Sequence, residues 1–473
     1  MNSDQKNAEI EEIFSRGVEE FIDPEGKFKE KILKKAKGEY EKDIIIKFGV
    51  DPTRPDIHLG HAVIFRKIRK FQDIGCKVVF LVGDYTAQIG DPTGKSRVRP
   101  EIEQKEVESN MKTYLDQVGK ILLTDKKFFS WIRNSDWFTA ITDLELPKGD
   151  KVKMSFEKEG KKTDMEFDAN SFVGKAVVFE KTRMQPSVDG YKGAISIITL
   201  KSLLWTLKHI THSRLIERDM FQERIKGGKE LFMHEMLYPV LQGVDSYVIS
   251  EIYGGCDMEI GGTDQTFNML TGRDILKINK KEQQAVMSLK LLEGTDGKEK
   301  MSKSLDNYIA IADEPNDMYG KIMSLPDASI INYFYLCAFA PADEIKKIEN
   351  DLKKGKKNPK DIKMRLAREI VVIYHGEDKA EQAEKNFIET FSKGGLPNDL
   401  EKVVVLRGTG LGKILLDNKV VKSNTEWRKL ISEGAVSNAE TAEKINSFDF
   451  SVDVDFTVKV GKRRFLKIAV KGE

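Results

Sequence analysis

The spacing of apolar positions divides the chain into recognisable elements. Ile10, Ile13, Phe14, Val18 and Phe21 recur at helical spacing, which predicts an amphipathic opening helix. A charged, Lys-rich helical stretch follows to about Tyr40. From Ile44 to Val50 the chain is apolar almost without break, then meets Asp51-Pro52. That pattern predicts a strand covered on both faces, stopped by a proline that cannot donate to the ladder. Helical spacing returns from Ile57 to Gln72, and Val78 to Val82 predicts a second buried strand. Strand, helix, strand in that order predicts a parallel α/β unit. The strand end just ahead of His58 is where an open α/β sheet binds ligands.

The pattern changes over residues 143–197. Val152, Met154 and Phe156 alternate with polar residues, Glu159-Gly160-Lys161-Lys162 reads as a turn, and Met165 and Phe167 alternate again. This predicts a β-hairpin, with Val177-Val178-Phe179 as a further strand, in an insertion that interrupts the α/β core. Helical patterning resumes from Leu200 to Arg224 and from Phe232 to Ser246. It continues over residues 327–395, with a Lys-rich break at Lys353 to Lys357. From about Leu406 a small α+β region closes the chain. Ser423 is a plausible N-cap for a helix to Glu433, and an alternating stretch runs from Phe448 through Ile468.

Length and composition narrow the function classes. At 473 residues the chain is too long for one compact core, so more than one domain is expected. A hydrophobic fraction of 40% with 33% charged residues reads as soluble and globular. The net charge of +2 makes no global demand for nucleic acid, so any RNA contact must come from local basic surface. Cys76, Cys256 and Cys337 are scattered, with neither metal-ligand spacing nor a disulfide framework. The N-terminus is polar and no stretch has the length of a membrane span, so a cytoplasmic protein with no metal site of its own is expected.

Several motifs carry candidate chemistry. His58 and His61 lie three apart at a predicted helix start, where free N–H groups and a partial positive charge favour phosphate. Gly60 between them allows a flat base or ribose to approach the backbone. Lys300-Met301-Ser302-Lys303-Ser304 sits in a Gly-rich, polar loop, Gly294-Thr295-Asp296-Gly297-Lys298-Glu299, which should be mobile. Two ammonium groups on such a loop can close over a triphosphate. Ile89 to Ser96 invites a P-loop reading, but three residues separate Gly90 from Gly94 where the motif needs four, and Pro92 would disrupt the loop. Lys95 and Arg99 can still reach phosphates, and Asp91 could hold a substrate ammonium. Gly261-Gly262 permits close ligand approach, and Asp264 suits a ribose hydroxyl pair. Tyr238, Gln242 and Asp245 share one helix face and read as a pocket wall. Each feature also has a plain alternative: a capping histidine pair, a solvated lysine cluster, a Gly-rich turn.

Taken together, Phe48 to Thr53, His58 to His61, Ile89 to Lys95, Tyr238 to Gly243, Gly261 to Gln265 and Lys300 to Ser304 resemble the bacterial-type tyrosyl-tRNA synthetases, class I aminoacyl-tRNA synthetases with a C-terminal S4 domain. The stretch Val421-Lys422-Ser423 through Asn438 and the ending Gly461 to Phe465 resemble that S4 domain. The resemblance implies an α/β, Rossmann-like parallel-sheet catalytic domain at 41–320 after a helical extension at 1–40, with the insertion at 143–197. A helical anticodon-binding domain at 321–400 and a small α+β S4-like RNA-binding domain at 406–473 would follow.

The same resemblance implies roles. Asp51, Thr86, Asp91, Tyr238 and Gln242 would surround the tyrosine amino group, with Gly49 in the same pocket. Gln265 would lie near the carboxylate, and Asp245 would accept from the phenol. His58, His61, Lys95, Arg99, Lys300, Lys303 and Ser304 would serve ATP and its transition state. Gly60, Gly262, Asp264 and Met301 would sit against ATP. Lys422, Ser423, Arg428, Lys429, Lys462, Arg463 and Arg464 would contact RNA. ATP with accompanying Mg2+, L-tyrosine, tRNA(Tyr) and a second copy of the chain in a homodimer are the implied partners, with no membrane. Lys47 departs from the family pattern, which has tyrosine there. Its ammonium could pair with Asp245 or hydrogen-bond to the substrate oxygen. Asp245 disfavours a tryptophan enzyme, and the intact histidines and loop lysines disfavour a non-catalytic RNA-binding relative.

Overall fold

The computed structural model describes residues 3–53, 56–91, 116–138, 151–158, 161–168, 200–392, 402–441, 443–461 and 464–471, together with residues 106, 109, 110, 114, 198 and 400. The chain forms two compact units, one of residues 1–312 and 325–356, the other of 313–324 and 357–473.

The first unit is built on β1 (Val18–Ile22), β2 (Ile45–Val50), β3 (Lys77–Val82), β4 (Phe129–Arg133), β7 (Met258–Gly262) and β8 (Ala285–Leu289), with β5 (Lys151–Lys158) and β6 (Lys161–Asp168) forming a separate antiparallel hairpin. The six-stranded sheet runs β1-β8-β7-β2-β3-β4. All pairs from β8 to β4 are parallel, and β1 is an antiparallel edge. Chain order reverses between β2 and β7, so this sheet is the doubly wound arrangement whose switch point lies between those strands. Parallel strands covered on both faces need apolar side chains throughout, and Val78, Val79, Phe80 and Val82 of β3 have no exposure.

Three helices position the site. The helix Leu59–Asp73 links β2 to β3 and buries Leu59, Ala62, Val63, Phe65, Ile68 and Phe71 at helical spacing. The long helix Met233–Tyr253 precedes β7 and buries Val240, Val244 and Val248 in a core shared with Val79, Leu81 and Trp137. The helix Thr266–Ile278 crosses between β7 and β8 and packs against it at Gly243, where a Cβ would meet Ile275 Cδ1 at 2.7 Å.

The first forty residues differ from expectation. The opening helix, Ser3–Ser15, ends before Val18, and Val18 and Phe21 belong to β1. Gly17 adopts φ 68°, which turns the chain out of the helix and onto the β8 edge. Phe14, Phe21 and Phe28 cluster, and both Phe14 and Phe28 meet Phe71 of the core at under 6 Å between ring centroids (5.9 and 5.8 Å). The Lys-rich stretch forms the helix Lys27–Ala36, so the segment is helical apart from β1, which adds an edge to the sheet.

The predicted hairpin at 151–168 is present, while Glu159, Gly160 and Val177 to Phe179 lie outside the described residues. In the second unit the helices Pro315–Met323, Pro359–His375 and Glu377–Phe387 pack together, with Tyr319 against Phe387. A four-stranded sheet follows, formed by β9 (Lys402–Leu406), β11 (Val436–Asn438), β13 (Phe456–Val460) and β14 (Arg464–Lys471), while β10 (Thr409–Gly410) pairs with β12 (Ser451–Val452). The main order is β11-β13-β14-β9, and β9 pairs with β14 in parallel, so the α+β region begins before Leu406. Leu411, Leu415, Trp427, Ile431, Val458 and Ile468 form its core.

Candidate active site

A cavity of about 550 Å³ opens at the carboxyl ends of β2 and β7, the switch point of the sheet. It is lined by Lys47, Gly49, Asp51, His58, Gly60, His61, Thr86, Asp91, Tyr238, Gln242, Asp245, Gly262, Asp264, Gln265, Lys300, Met301 and Lys303, which join motifs far apart in the chain. Ser304 stands in the short turn Lys303–Leu305. Lys95 and Arg99 lie outside the described residues.

One side of the cavity is an acceptor cluster. Asp51, just past β2, accepts from Thr86 Oγ1 at 2.8 Å and from Tyr238 O–H at 2.8 Å. A Cβ on Gly83 would overlap Asp51 and Thr86, so glycine at this turn is what lets the pair close. Asp91 accepts from Gln265 Nε2 at 2.7 Å, and Arg218 stands 3.8 Å away. Asn268 Nδ2 bridges Gln242 Oε1 and Gln265 Oε1, both at 3.0 Å.

Deeper in, Asp245 is 2% exposed. Trp137 Nε1 donates to one of its oxygens at 3.0 Å, and Asn134 Nδ2 reaches the other at 3.5 Å. Burial pushes its carboxyl up to about 7, against the lowering influence of Lys47 and these two donors. The cavity thus contains a carboxyl poised to change its charge near neutrality.

Lys47 does not pair directly with Asp245. It lies opposite Glu259 in the parallel register of β2 and β7, and its Nζ binds Glu259 Oε1 at 2.9 Å, Gln242 O at 2.8 Å and Ser246 Oγ at 2.8 Å. Adjacency across the ladder decides the partner. Glu259, Ser246, Asn268, Trp137, Asn134 and Gly83 were not foreseen from sequence. A carboxylate inside the otherwise apolar β7, matching a lysine inside apolar β2, was the available signal.

The opposite side is cationic. His58 caps the helix Leu59–Asp73, and its backbone N–H points to His61 Nδ1 at 3.4 Å. Burial holds His61 down to about 3 and His58 well below its ordinary value, aided by the charges of Lys303 and Lys300. Both rings are neutral near pH 7. An imidazole accepting at Nδ1 carries its proton on Nε2, so His61 offers one N–H donor. Gly60 accommodates the His58 ring, which a Cβ would meet at 3.0 Å. Lys300 pairs with Asp264 at 2.7 Å, and Lys303 reaches Tyr114 O–H at 2.9 Å. Their loop is built around buried Asn307, which accepts from Ser302 N–H at 2.8 Å and donates to Asp296 at 2.9 Å.

The sequence model of the tRNA synthetases class I (W and Y) matches residues 39–146 and 195–392. Tyrosine–tRNA ligase of Carboxydothermus hydrogenoformans is 38% identical over 97% of this chain and 97% of its own length. The chain belongs to the class I tyrosine–tRNA ligase family. The Francisella tularensis tyrosine–tRNA ligase is 36% identical over 97% of this chain and 98% of its own. The break in the class I family match, 147–194, falls on the segment read from sequence as an insertion. A C-terminally truncated mitochondrial tyrosyl-tRNA synthetase of Aspergillus nidulans shares the fold at 20% identity, with a TM-score of 0.54 over 81% of this chain and 94% of that one.

In the second unit, Ser423 caps the helix Asn424–Ser432 by accepting from Glu426 N–H at 3.2 Å, while Lys422 N–H donates to Glu426 at 2.7 Å. Arg464 pairs with Glu426 at 2.8 Å. Arg428 and Lys429 are exposed on that helix, and Lys462 and Arg463 lie outside the described residues.

Proposed function

We infer that the cavity joins tyrosine to ATP and that the activated tyrosine is then transferred to tRNA, the reaction for which the relatives are named. The observation that carries this is the opposition, within one cavity, of a carboxylate-and-amide wall to a wall of neutral histidines and loop lysines. The first suits an amino acid's ammonium, the second a triphosphate. Asp51, Thr86, Tyr238, Asp91 and Gln242 hold the ammonium side, and Gln265 lies towards the carboxylate. Asp245 accepts from the phenol, which favours tyrosine over tryptophan. Asp264 takes the ribose hydroxyls, with Gly60, Gly262 and Met301 against the nucleoside.

The tyrosine carboxylate oxygen attacks the α-phosphorus, the bond to the β-phosphate oxygen breaks, and pyrophosphate leaves with the electron pair. No covalent enzyme intermediate is required, so the protein contributes positioning and charge stabilisation. Neutral His58 and His61 donate N–H groups to phosphate oxygens without the cost of burying a second cation. Lys300 and Lys303, with Lys95 and Arg99, meet charge developing on the pyrophosphate, and Ser304 adds a hydroxyl. Magnesium is proposed to enter with the triphosphate. A ribose hydroxyl of the terminal tRNA adenosine then attacks the adenylate carbonyl and AMP leaves.

The helices of the second unit are proposed to meet the anticodon region, and residues 402–471 to act as an S4-like RNA-binding domain through Arg428, Lys429, Lys462 and Arg463. We assign Ser423 and Arg464 chiefly to building that surface, because both are engaged by Glu426. A homodimer working in the cytoplasm completes the proposal. No helix among the described residues is long and apolar enough to cross a membrane. Tyrosine-dependent ATP–pyrophosphate exchange tests the reading. Exchange dependent on tryptophan instead, or no exchange with either amino acid, would overturn it.

A further inference from the structure

One charged pair in the floor of the cavity is not used by the reaction itself. Lys47 has no exposure and Glu259 is 2% exposed. An ammonium has three N–H groups, and those of Lys47 are directed to Gln242 O, Ser246 Oγ and Glu259 Oε1. They are spent inside the protein. Glu259 Oε1 also accepts from Gln242 Nε2 at 3.0 Å, while Oε2 accepts from Gln284 Nε2 at 2.6 Å and Ser246 Oγ at 3.2 Å. The backbone leaves room for this network: a Cβ on Gly272 would stand 2.6 Å from Gln284 Nε2 and 2.9 Å from Ser246 Oγ.

The directions of these hydrogen bonds are forced. An ionised carboxylate only accepts, so Gln242 must turn its NH2 group toward Glu259. Its carbonyl oxygen then faces away, where one lone pair accepts from Asn268 and another acceptor position remains. Asn268 in turn fixes Gln265 by its Oε1, which directs Gln265 Nε2 to Asp91. A flipped Gln242 would present a donor to a substrate cation, which repels it.

We propose that Lys47 and Glu259 are positioning residues of the amino-acid site: Glu259 sets the amide orientation of Gln242, and Lys47 holds Glu259 in place. The inference rests on the tyrosine-activation reading above. A buried ion pair is rarely more stabilising than apolar residues of similar volume. Its work here is orientation.

The test compares L-tyrosine with the analogue lacking the amino group, 3-(4-hydroxyphenyl)propionate, by equilibrium binding to the full chain. Lys47→Met/Glu259→Met replaces the pair by apolar side chains, and Glu259→Gln keeps the shape but removes the obligate acceptor. In both variants the preference for L-tyrosine over the analogue should fall by about tenfold, the scale of one charged hydrogen bond. Affinity for ATP should hold. An amide hydrogen-exchange map matching wild type shows that each variant is folded, and Glu259→Gln serves if the double variant is not. An unchanged preference in a folded variant overturns the proposal. Failure of the wild-type protein to bind tyrosine or to catalyse exchange overturns instead the reading on which it rests.

Discussion

Asp245 and Gly83 show how much of the chemistry is set by single positions. Burial holds the Asp245 carboxyl up to about 7, so its charge changes near neutrality. As a carboxylate it accepts the phenol proton; protonated, it competes as a donor. Discrimination between tyrosine and phenylalanine should therefore rise as pH increases through about 7 and fall below it. A site that pairs the substrate hydroxyl rejects the analogue lacking it, because the site's own polar group is left stranded. We expect a change of roughly tenfold between pH 6 and 8, read from the ratio of kcat/KM values in pyrophosphate exchange. In Asp245→Asn the ratio should be low and independent of pH; a steep rise in that variant would assign phenol recognition elsewhere. By linkage, a carboxyl raised from its unfolded value makes folding less favourable as pH climbs from about 4 to about 7. Burying Asp245 is thus a cost to stability. Gly83 acts by absence. Gly83→Ala puts a methyl group against Asp51 and Thr86 and should separate them. Tyrosine KM should increase about tenfold while ATP KM stays near wild type, because one charged hydrogen bond is at stake. Equal changes in both KM values would point to a general loosening of the turn.

At the scale of elements, legibility in the sequence followed how local the cause was. The runs ending at Val50 and Val82 declared buried parallel strands because both faces of such strands are apolar. The face carrying Tyr238, Gln242 and Asp245 was legible because helical spacing fixes it within a few residues. β1 was not legible: Val18 to Ile22 contains Glu19 and Glu20, and it is a strand only because the distant β8 offers an edge. The Lys47–Glu259 pair likewise depends on which strands become neighbours. The loop of Gly294 to Glu299 that carries Lys300 and Lys303 reads as mobile from composition, yet Asn307 organises it through Ser302 N–H, Asp296 and the Lys300 carbonyl. Gly294 lacks the Cβ that would collide with the Asn307 side chain. Asn307→Ala should therefore lower kcat for adenylate formation several-fold, with tyrosine affinity nearly unchanged, because Lys300 and Lys303 act on charge that develops in the transition state. Lys303→Ala should show the same pattern more strongly, by about a hundredfold, as loss of a donor to a developing oxyanion does. Single-turnover measurement of adenylate formation checks both. An Asn307→Ala enzyme with wild-type turnover would show that the loop holds its lysines without that scaffold.

For the whole molecule, the division of labour follows from where the cores close. Every cavity-lining residue precedes residue 313 and belongs to the first unit. Among the described residues, the core of the C-terminal α+β region is assembled from Leu411 through Ile468, with Val403, Val405 and Val470 of the same region packed against it. A region that closes its own core can be removed without opening another. Truncation after Pro397 should then leave tyrosine-dependent pyrophosphate exchange close to wild type and greatly reduce charging of tRNA. The deleted segment contains Arg428, Lys429, Lys462 and Arg463, cationic groups suited to phosphate contacts. Counterion release gives a second signature. If those groups each neutralise a phosphate, tRNA affinity of the full chain should fall with salt more steeply than that of the truncated chain. Both half-reactions should be measured on the same truncated preparation, after its folding and oligomeric state have been compared with the full chain. Equal charging and equal salt slopes would remove the proposed RNA role from residues 402–471. Loss of exchange in a folded truncation would show that the segment supports the adenylate-forming site, a dependence that the two separate cores do not require.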